Sequence, residues 1–499
     1  MLSYQDINMD LLTIRQQNPW WENKARIDED PKLRDYDAAK IKWVPRLKKY
    51  IYLDKNVVYS IRGPRQVGKT TLIKIITRDL LEKNNPSNIM YFSCDLLKDN
   101  AALSDLLNTY YTWARNLNQE RIYIFLDEIS SVKEWQKSIK LFVDINGNDN
   151  MTVILTGSHT IDIKNSTERL PGRVGEKEHI PTHKVLLPMK FAEYVQMRNP
   201  ELYKQVQKLR LDLAEERSRQ FLELVGGNLP KSAYDLMRIL PEMDAILDQY
   251  LVNGGIMIAV NEHNDNGRIS AQIYDMYIRQ LIGDISRVNR DEKTAKLILA
   301  AMLKRTGSAY SWNRIKDDAG IPSQPTVDQY VNLLQNMFVL NIYYKMEMDG
   351  TVKHASDKKV HILNPFIFHA LYSWLVNPAQ DPFQSATEFL MSSENKSKLV
   401  ESVVGDHLNR AAHNLRPADT YDPSDFIFYL KTNKGYEVDF VLKMQDIFTG
   451  IEVKYQNNIN PEDFRGLNRI GKGCLASKKE FGQKNGIAII PVSLFLLYI

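Results

Sequence analysis

The stretch "NVVYSIRGPRQVGKTTLIKIITRDLLEK", residues 56 to 83, constrains the fold of this 499-residue chain more than any other. A β-branched run, Val57 to Ile61, leads into Gly63-x-x-x-x-Gly68-Lys69-Thr70, and apolar residues then recur at Leu72, Ile73, Ile76 and Leu80 with helical period. A strand, a glycine-bounded loop and a helix start, in that order, make a phosphate cradle. The loop is Gly63, Pro64, Arg65, Gln66, Val67, Gly68, Lys69, Thr70 and Thr71. Its glycines let backbone N–H groups curl around phosphates, and the helix dipole favours negative charge there. Lys69 is placed to reach the β- and γ-phosphates of ATP, and the Thr70 hydroxyl to ligate Mg²⁺. A chance glycine turn before a helix is the alternative, disfavoured by the full pattern in its expected context.

A second element corroborates the first. "RIYIFLDEISSVKEWQKSIK" reads as an apolar strand, Ile122 to Leu126, ending in Asp127-Glu128. Acids at the carboxyl end of a buried parallel strand sit where α/β sheets bind ligands. Asp127 is expected in the Mg²⁺ shell, and Glu128 as the group that polarises the attacking water. The adjacent pair points to hydrolysis rather than binding alone. "NIMYFSCD" supplies another strand, and "MTVILTGSHT" a further one ending in polar Thr156 and Ser158. These two either sense the γ-phosphate and water or cap the next helix.

With "GPRQVGKTTL", "IFLDEIS", "VILTGSHT" and "LPGRVGE" in order, residues 57 to 195 resemble the archaeal and bacterial P-loop ATPases of the AAA+ superfamily. The resemblance implies a sheet whose sensor strand lies between the two Walker strands. It also implies an arginine at the γ-phosphate, commonly from a neighbouring subunit, and hence a homo-oligomer. Arg173 is the candidate, with a structural arginine paired to an acid as the alternative and Arg65 as a third option.

Residues 231 to 300 have helical period and fit a lid beside the nucleotide, with Gly254-Gly255 as a break between helices. Residues 308 to 346 read as a helix, a turn at Gly320-Ile321-Pro322, a second helix from Thr326 and an alternating strand, the order of a winged helix-turn-helix. Its exposed residues Gln324, Thr326, Asp328 and Gln329 are not basic, so DNA contact and protein packing both stand.

The tail carries the second constellation. In "YEVDFVL" Glu437 and Asp439 share one strand face, and in "GIEVKY" Glu452 and Lys454 share one, so two neighbouring strands present three acids and a lysine from one side of a sheet. An upstream stripe, Glu401, Val404, Leu408, Ala411 and Leu415, puts Glu401 on the inward side of a helix. A carboxylate held there must be paired or bind a metal. Helix acid, strand acid and Glu-x-Lys resemble the PD-(D/E)XK nuclease superfamily, of restriction-endonuclease-like fold, and map onto Glu401, Asp439, Glu452 and Lys454. Val438 stands where that motif has proline. The resemblance implies carboxylates binding Mg²⁺ or Mn²⁺, with Lys454 neutralising developing charge. Residues 360 to 499 also resemble the C-terminal (DUF4143-type) domain of uncharacterised proteins that follow this type of ATPase. The alternative is a salt-bridged sheet face, Glu437 and Glu452 pairing with Lys454 and Lys434.

Composition narrows the rest. A net charge of +4 permits a polyanionic partner without requiring one. Two cysteines support neither a disulfide framework nor a thiolate metal site, and no apolar run approaches a membrane span, so a cytoplasmic protein is expected. "NPWWENK" either stacks on bases or clamps the arm onto the next domain, 200 to 222 reads as an exposed helix, and "PVSLFLLYI" as a buried strand. The expected α/β architecture is an N-terminal arm (1–45), P-loop NTPase core (46–230), helical lid (231–300), winged helix (301–358) and restriction-endonuclease-like domain (359–499). The expected function is ATP hydrolysis coupled to DNA binding, with DNA cleavage by the tail. The rival is a nucleotide-dependent switch with a non-catalytic tail.

Overall fold

The computed structural model describes residues 10–146, 150–157, 181–415, 426–432, 435–444 and 447–499. The chain divides between Leu187 and Pro188 into two units. The first is built on β1 (Val57–Arg62), β2 (Ile89–Ser93), β3 (Ile122–Asp127), β4 (Met151–Thr156) and β5 (His183–Val185). Every residue of β1, β3 and β4 is buried, as a parallel sheet covered on both faces requires. The order is β2-β3-β4-β1-β5, all pairs parallel. The strand ending at Thr156 thus lies between the loop strand and the Asp127 strand, the arrangement that the AAA+ resemblance implied.

Helix α1 (Lys69–Lys83) begins at Gly68, whose φ of +95° suits glycine and turns the chain from loop to helix. Helices α2 (Asn100–Leu117) and α3 (Trp135–Asn146) bury Leu103, Leu106, Leu107, Trp135 and Ile139 with Phe92, Ile124 and Leu126 of the sheet.

Strand β2 is one edge of this sheet, and the N-terminal segment closes it with side chains. The Asn18 side chain accepts from the Tyr91 N–H at 2.7 Å and donates to the Tyr91 carbonyl at 2.9 Å. Gln17 accepts from the Ser93 N–H at 2.8 Å, and the indole N–H groups of Trp20 and Trp21 donate to the Ile89 carbonyl at 3.0 and 2.9 Å. Residues 89, 91 and 93 point their backbone groups the same way, so this row of side chains stands in for a strand. Both tryptophans therefore clamp the arm.

The second unit carries a nine-stranded sheet, order β13-β14-β12-β11-β10-β9-β7-β8-β6. Its strands are β6 (Ala309–Tyr310), β7 (Leu340–Met346), β8 (Val352–Ile362), β9 (Ile427–Lys431), β10 (Glu437–Met444), β11 (Ile447–Lys454), β12 (Gly473–Ser477), β13 (Gly482–Lys484) and β14 (Ile487–Pro491). Helices α4 (Trp312–Ala319) and α5 (Gln324–Asn336) flank a turn at Gly320 and lead into the β7–β8 hairpin. Helix α6 (Ser393–Leu415) and the short α7 (Arg465–Ile470) pack on the tail strands.

Several expectations change here. The division falls at 187/188 rather than 230/231, and β8 runs through the expected 358/359 boundary. Parallel β7–β9 pairing makes the hairpin and the tail one hydrogen-bonded sheet. Residues 200 to 222 are two amphipathic helices, Pro200–Lys208 and Ala214–Val225, that bury Leu202, Tyr203, Val206, Phe221 and Leu224 instead of standing free. The terminal apolar run is buried, but Val492–Phe495 is helical, because β14 ends at Pro491. Among the described residues no helix is long and apolar enough to cross a membrane.

Candidate functional site

The loop folds back on its own lysine. The Lys69 ammonium, itself buried, donates to the Gly63 and Pro64 carbonyls at 2.9 and 3.0 Å. A Cβ added at Gly63 would meet the Leu186 carbonyl oxygen at 2.0 Å, so close β1–β5 packing demands glycine there. Gln66 takes a φ of +61°, and with Gly68 it curls the loop into the cradle expected of it.

At the carboxyl end of β3, Asp127 is 3% exposed and fully engaged. Its Oδ2 accepts from the Thr70 hydroxyl at 2.7 Å and from the Tyr91 hydroxyl at 3.0 Å. Its Oδ1 accepts from the Thr156 hydroxyl and from the Glu128 N–H, the latter at 3.2 Å. A carboxylate offers about four acceptor sites, and here four donors fill them. Thr156 thus orients Asp127 from the neighbouring strand. Glu128 adopts a φ of +51°, uncommon for a glutamate and frequent at working sites. Its carboxylate lies 3.7 Å from the Arg65 guanidinium, so Arg65 belongs to the same cluster. Ser158 and Arg173 lie outside the described residues.

Thr70 and Asp127 set two hard oxygens side by side next to a buried ammonium. That donor set fits a nucleotide triphosphate with Mg²⁺.

Two residues here, Tyr91 and Lys74, escaped the sequence reading. Tyr91 supports Asp127, and its hydroxyl pKa is raised by burial and then by the Asp127 charge. Lys74 on α1 lies 2.9 Å from Asp30 Oδ2 and 3.2 Å from the Tyr91 ring centroid. The parallel register Ser93↔Asp127 puts Tyr91 near the acid, but only the pairing of β2 with β3 reveals it.

The tail residues form a second cluster. In the antiparallel β10–β11 hairpin, Glu452 accepts from the Asp439 N–H at 3.2 Å, and Asp439 accepts from the Val453 N–H at 2.9 Å. Lys454 pairs with Glu452 at 2.5 Å. Glu401, from α6, reaches the same place, so all four expected residues are brought together. What the sequence reading missed is Lys359 of β8, whose ammonium contacts Glu401, Glu437 and Asp439. A lysine amid the buried residues of "KVHI" is the signal that was available.

Burial, then the Asp439 charge, pushes Glu401 up to about 7 and Glu452 up to about 8. Burial also acts upward on Asp439, but Lys359 and then Lys454 outweigh it and hold that carboxyl below its usual range. His361 is lowered to about 3 by burial and Lys359, so it is neutral at pH 7 beside Glu401, 3.5 Å away.

Comparison with known proteins matches residues 55–195 to the AAA domain, and residues 244–377 and 396–495 to two domains of unknown function, DUF8612 and DUF4143. The chain is 26% identical over 343 residues to an uncharacterized protein of Methanocaldococcus jannaschii, MJ1637, covering 67% of this chain. It spans just under two thirds, 66%, of that relative's length. Among solved structures it is similar to the Walker-type ATPase paby2304 of Pyrococcus abyssi, 14% identical, covering 69% of this chain and 95% of that one, TM-score 0.35. It is also similar to the Orc1 protein of Aeropyrum pernix in complex with DNA, 14% identical, covering 77% and 97%, TM-score 0.28. Residues 55–195 are an AAA-type P-loop ATPase domain.

Proposed function

We propose that this chain binds and hydrolyses ATP in its first unit and uses turnover to control DNA engagement by its second. One observation carries the hydrolytic reading: the buried Asp127 carboxylate holds the Thr70 hydroxyl at the mouth of the loop that encloses Lys69. Lys69 donates to two loop carbonyls, and phosphate oxygens would offer that ammonium charge-assisted bonds in their place. Thr70 and Asp127 would hold Mg²⁺, which supplies charge neutralisation at the phosphates when bound. Thr156 and Tyr91 fix the Asp127 carboxylate for that task. Glu128 accepts a proton from the attacking water once its carboxylate leaves Arg65. Arg173, Ser158 and a homo-oligomer that lends an arginine between subunits remain part of the proposal.

DNA is the proposed partner of the helix-turn-helix and its hairpin. Support comes from the element order α4-turn-α5-β7-β8 and from exposed Gln324, Gln329 and Asn332 on α5, amides able to read base edges. Asp328 is half-buried and accepts from the Trp312 indole N–H at 2.9 Å and from the Asn332 side-chain amide at 3.2 Å.

A second reading is favoured in the tail. The expected nuclease groups, Glu401, Asp439, Glu452 and Lys454, lie together, yet the Lys359 ammonium sits between Glu401 and Asp439. This favours a binding module without metal-dependent cleavage by Mg²⁺ or Mn²⁺.

The test is ATP turnover with single-stranded, double-stranded and branched DNA. Stimulation is expected, Lys69→Ala abolishes nucleotide binding, and Glu128→Gln binds ATP without turning it over. Undiminished turnover in Lys69→Ala refutes the assignment of the site, and a rate indifferent to every DNA removes DNA as the partner.

A further inference from the structure

Strand β8 sends two neighbouring lysines to opposite faces. Lys358 lies over the Trp312 ring, 5.0 Å from its centroid. Lys359 runs the other way, its side chain 2% exposed, to within 3.1 Å of Glu401, 2.7 Å of Glu437 and 2.8 Å of Asp439. An ammonium has three N–H donors, and three carboxylates are here to receive them. Two of the oxygens expected to ligate a metal are thus bound to a nitrogen, and Glu452 is bound to Lys454.

Charge gives the same answer. Four carboxylates, Glu401, Glu437, Asp439 and Glu452, face three ammoniums among the described residues, Lys359, Lys454 and Lys431, the last 3.2 Å from Glu437. Even with every carboxylate ionised only one negative charge is left over, half of what a divalent ion brings. Among the described residues no group of three or more His, Cys, Asp or Glu is arranged to hold a metal ion. The residues present do not fit the metal that the nuclease resemblance implies.

We propose that Lys359 is the resident cation of this site, in place of a divalent metal, and that the tail module is a closed ion-pair network. Lys359 ties the β8 hairpin strand to α6 and β10, so its role is to fix those elements together. This inference is independent of the ATPase reading.

The experiment titrates the nucleotide-free full chain with Mn²⁺, following the free-ion EPR signal and the melting midpoint. Uptake is assigned to this site only when Asp439→Asn abolishes it. Wild type is expected to show no such uptake tighter than about 1 mM, the weak end of carboxylate sites. Lys359→Met, which leaves three carboxylates without their cation, is expected to melt lower without metal. It should gain one Asp439-dependent Mn²⁺ that raises its midpoint, and Lys359→Arg should behave as wild type. Asp439-dependent uptake by wild type overturns the proposal, and this arm decides even if Lys359→Met fails to fold. So does a Lys359→Met protein that melts as wild type and binds no Mn²⁺.

Discussion

Neutralising Asp30 should harm the first unit more than deleting the lysine it pairs with. The Lys74 side chain is 6% exposed and that of Asp30 16%, so the ammonium is the group that depends on its partner. Asp30 keeps other donors: it accepts from the Lys32 and Leu33 N–H groups at 2.9 and 3.4 Å. In Asp30→Asn the helix cap survives, but buried Lys74 loses its paired carboxylate and keeps only the Asp127 charge nearby, a loss of about 3 kcal/mol at the low end for broken buried pairs. In Lys74→Met the methylene stem still packs, the desolvation of the ammonium disappears, and the lost pair and cation–π contact cost about 1.5 kcal/mol. The double variant should match Lys74→Met, a coupling of about 3 kcal/mol. Urea unfolding of the first unit, followed by fluorescence of the Trp20 and Trp21 clamp at pH 7, measures all three. Burial lowers the Lys74 pKa and Asp30 pulls it back up. An amine with a lowered folded pKa binds fewer protons folded than unfolded, so stability rises with pH between the folded value and 10.5. Asp30→Asn should therefore recover part of its loss on alkaline titration, and Lys74→Met should not. A Lys74→Met protein that loses as much as Asp30→Asn, or a coupling under about 0.5 kcal/mol, refutes the reasoning.

Tyr91→Phe removes one of four donors to Asp127. It should lower stability by about 1.5 kcal/mol and raise the Mg²⁺ concentration for half-maximal ATPase about tenfold, in line with lost support of a metal ligand; unchanged Mg²⁺ dependence counts against its positioning role. Gly63→Ala drives a methyl into the Leu186 carbonyl and should cost about 3 kcal/mol, checked by melting with and without ADP; a wild-type melting curve and ADP shift contradict it. His369 is lowered to about 4 and His407 well below 6.5, both by burial. These two imidazoles take up two protons in the unfolded chain that the folded chain refuses, a contribution worth roughly 3 kcal/mol of lost stability per pH unit as pH falls through 5, beside a like contribution from His361 and an opposite one from Glu401 and Glu452. His369→Asn should remove half of that slope, and an identical slope in the variant would speak against it.

What was legible in the sequence is what one continuous segment encodes. Gly63 to Thr71 carries strand, loop and helix start together, and Asp127-Glu128 closes a strand that nothing else resembles. Thr156 followed from the same strand logic. Tyr91 and Lys74 were not legible, since each matters only through a neighbour far along the chain: Tyr91 meets Asp127 across a strand pair, and Lys74 meets Asp30 of the preceding arm. Lys359 lies 80 residues from Asp439. Period-two counting put Asp439, Glu452 and Lys454 in place without revealing the cation that enters from another hairpin. The terminal run looked like a strand because burial, not periodicity, dominates nine apolar residues; Pro491 decided otherwise.

The side-chain row on β2 has a consequence for handling the protein. Amide and indole groups satisfy that border only while residues 17 to 21 remain attached. A protease nick or a shortened clone beginning near residue 46 would leave an unpaired ladder facing solvent, ready to recruit the same strand from a second molecule. Trimming the arm to tidy a preparation would then yield fibrous or clumped material, with the phosphate loop itself untouched.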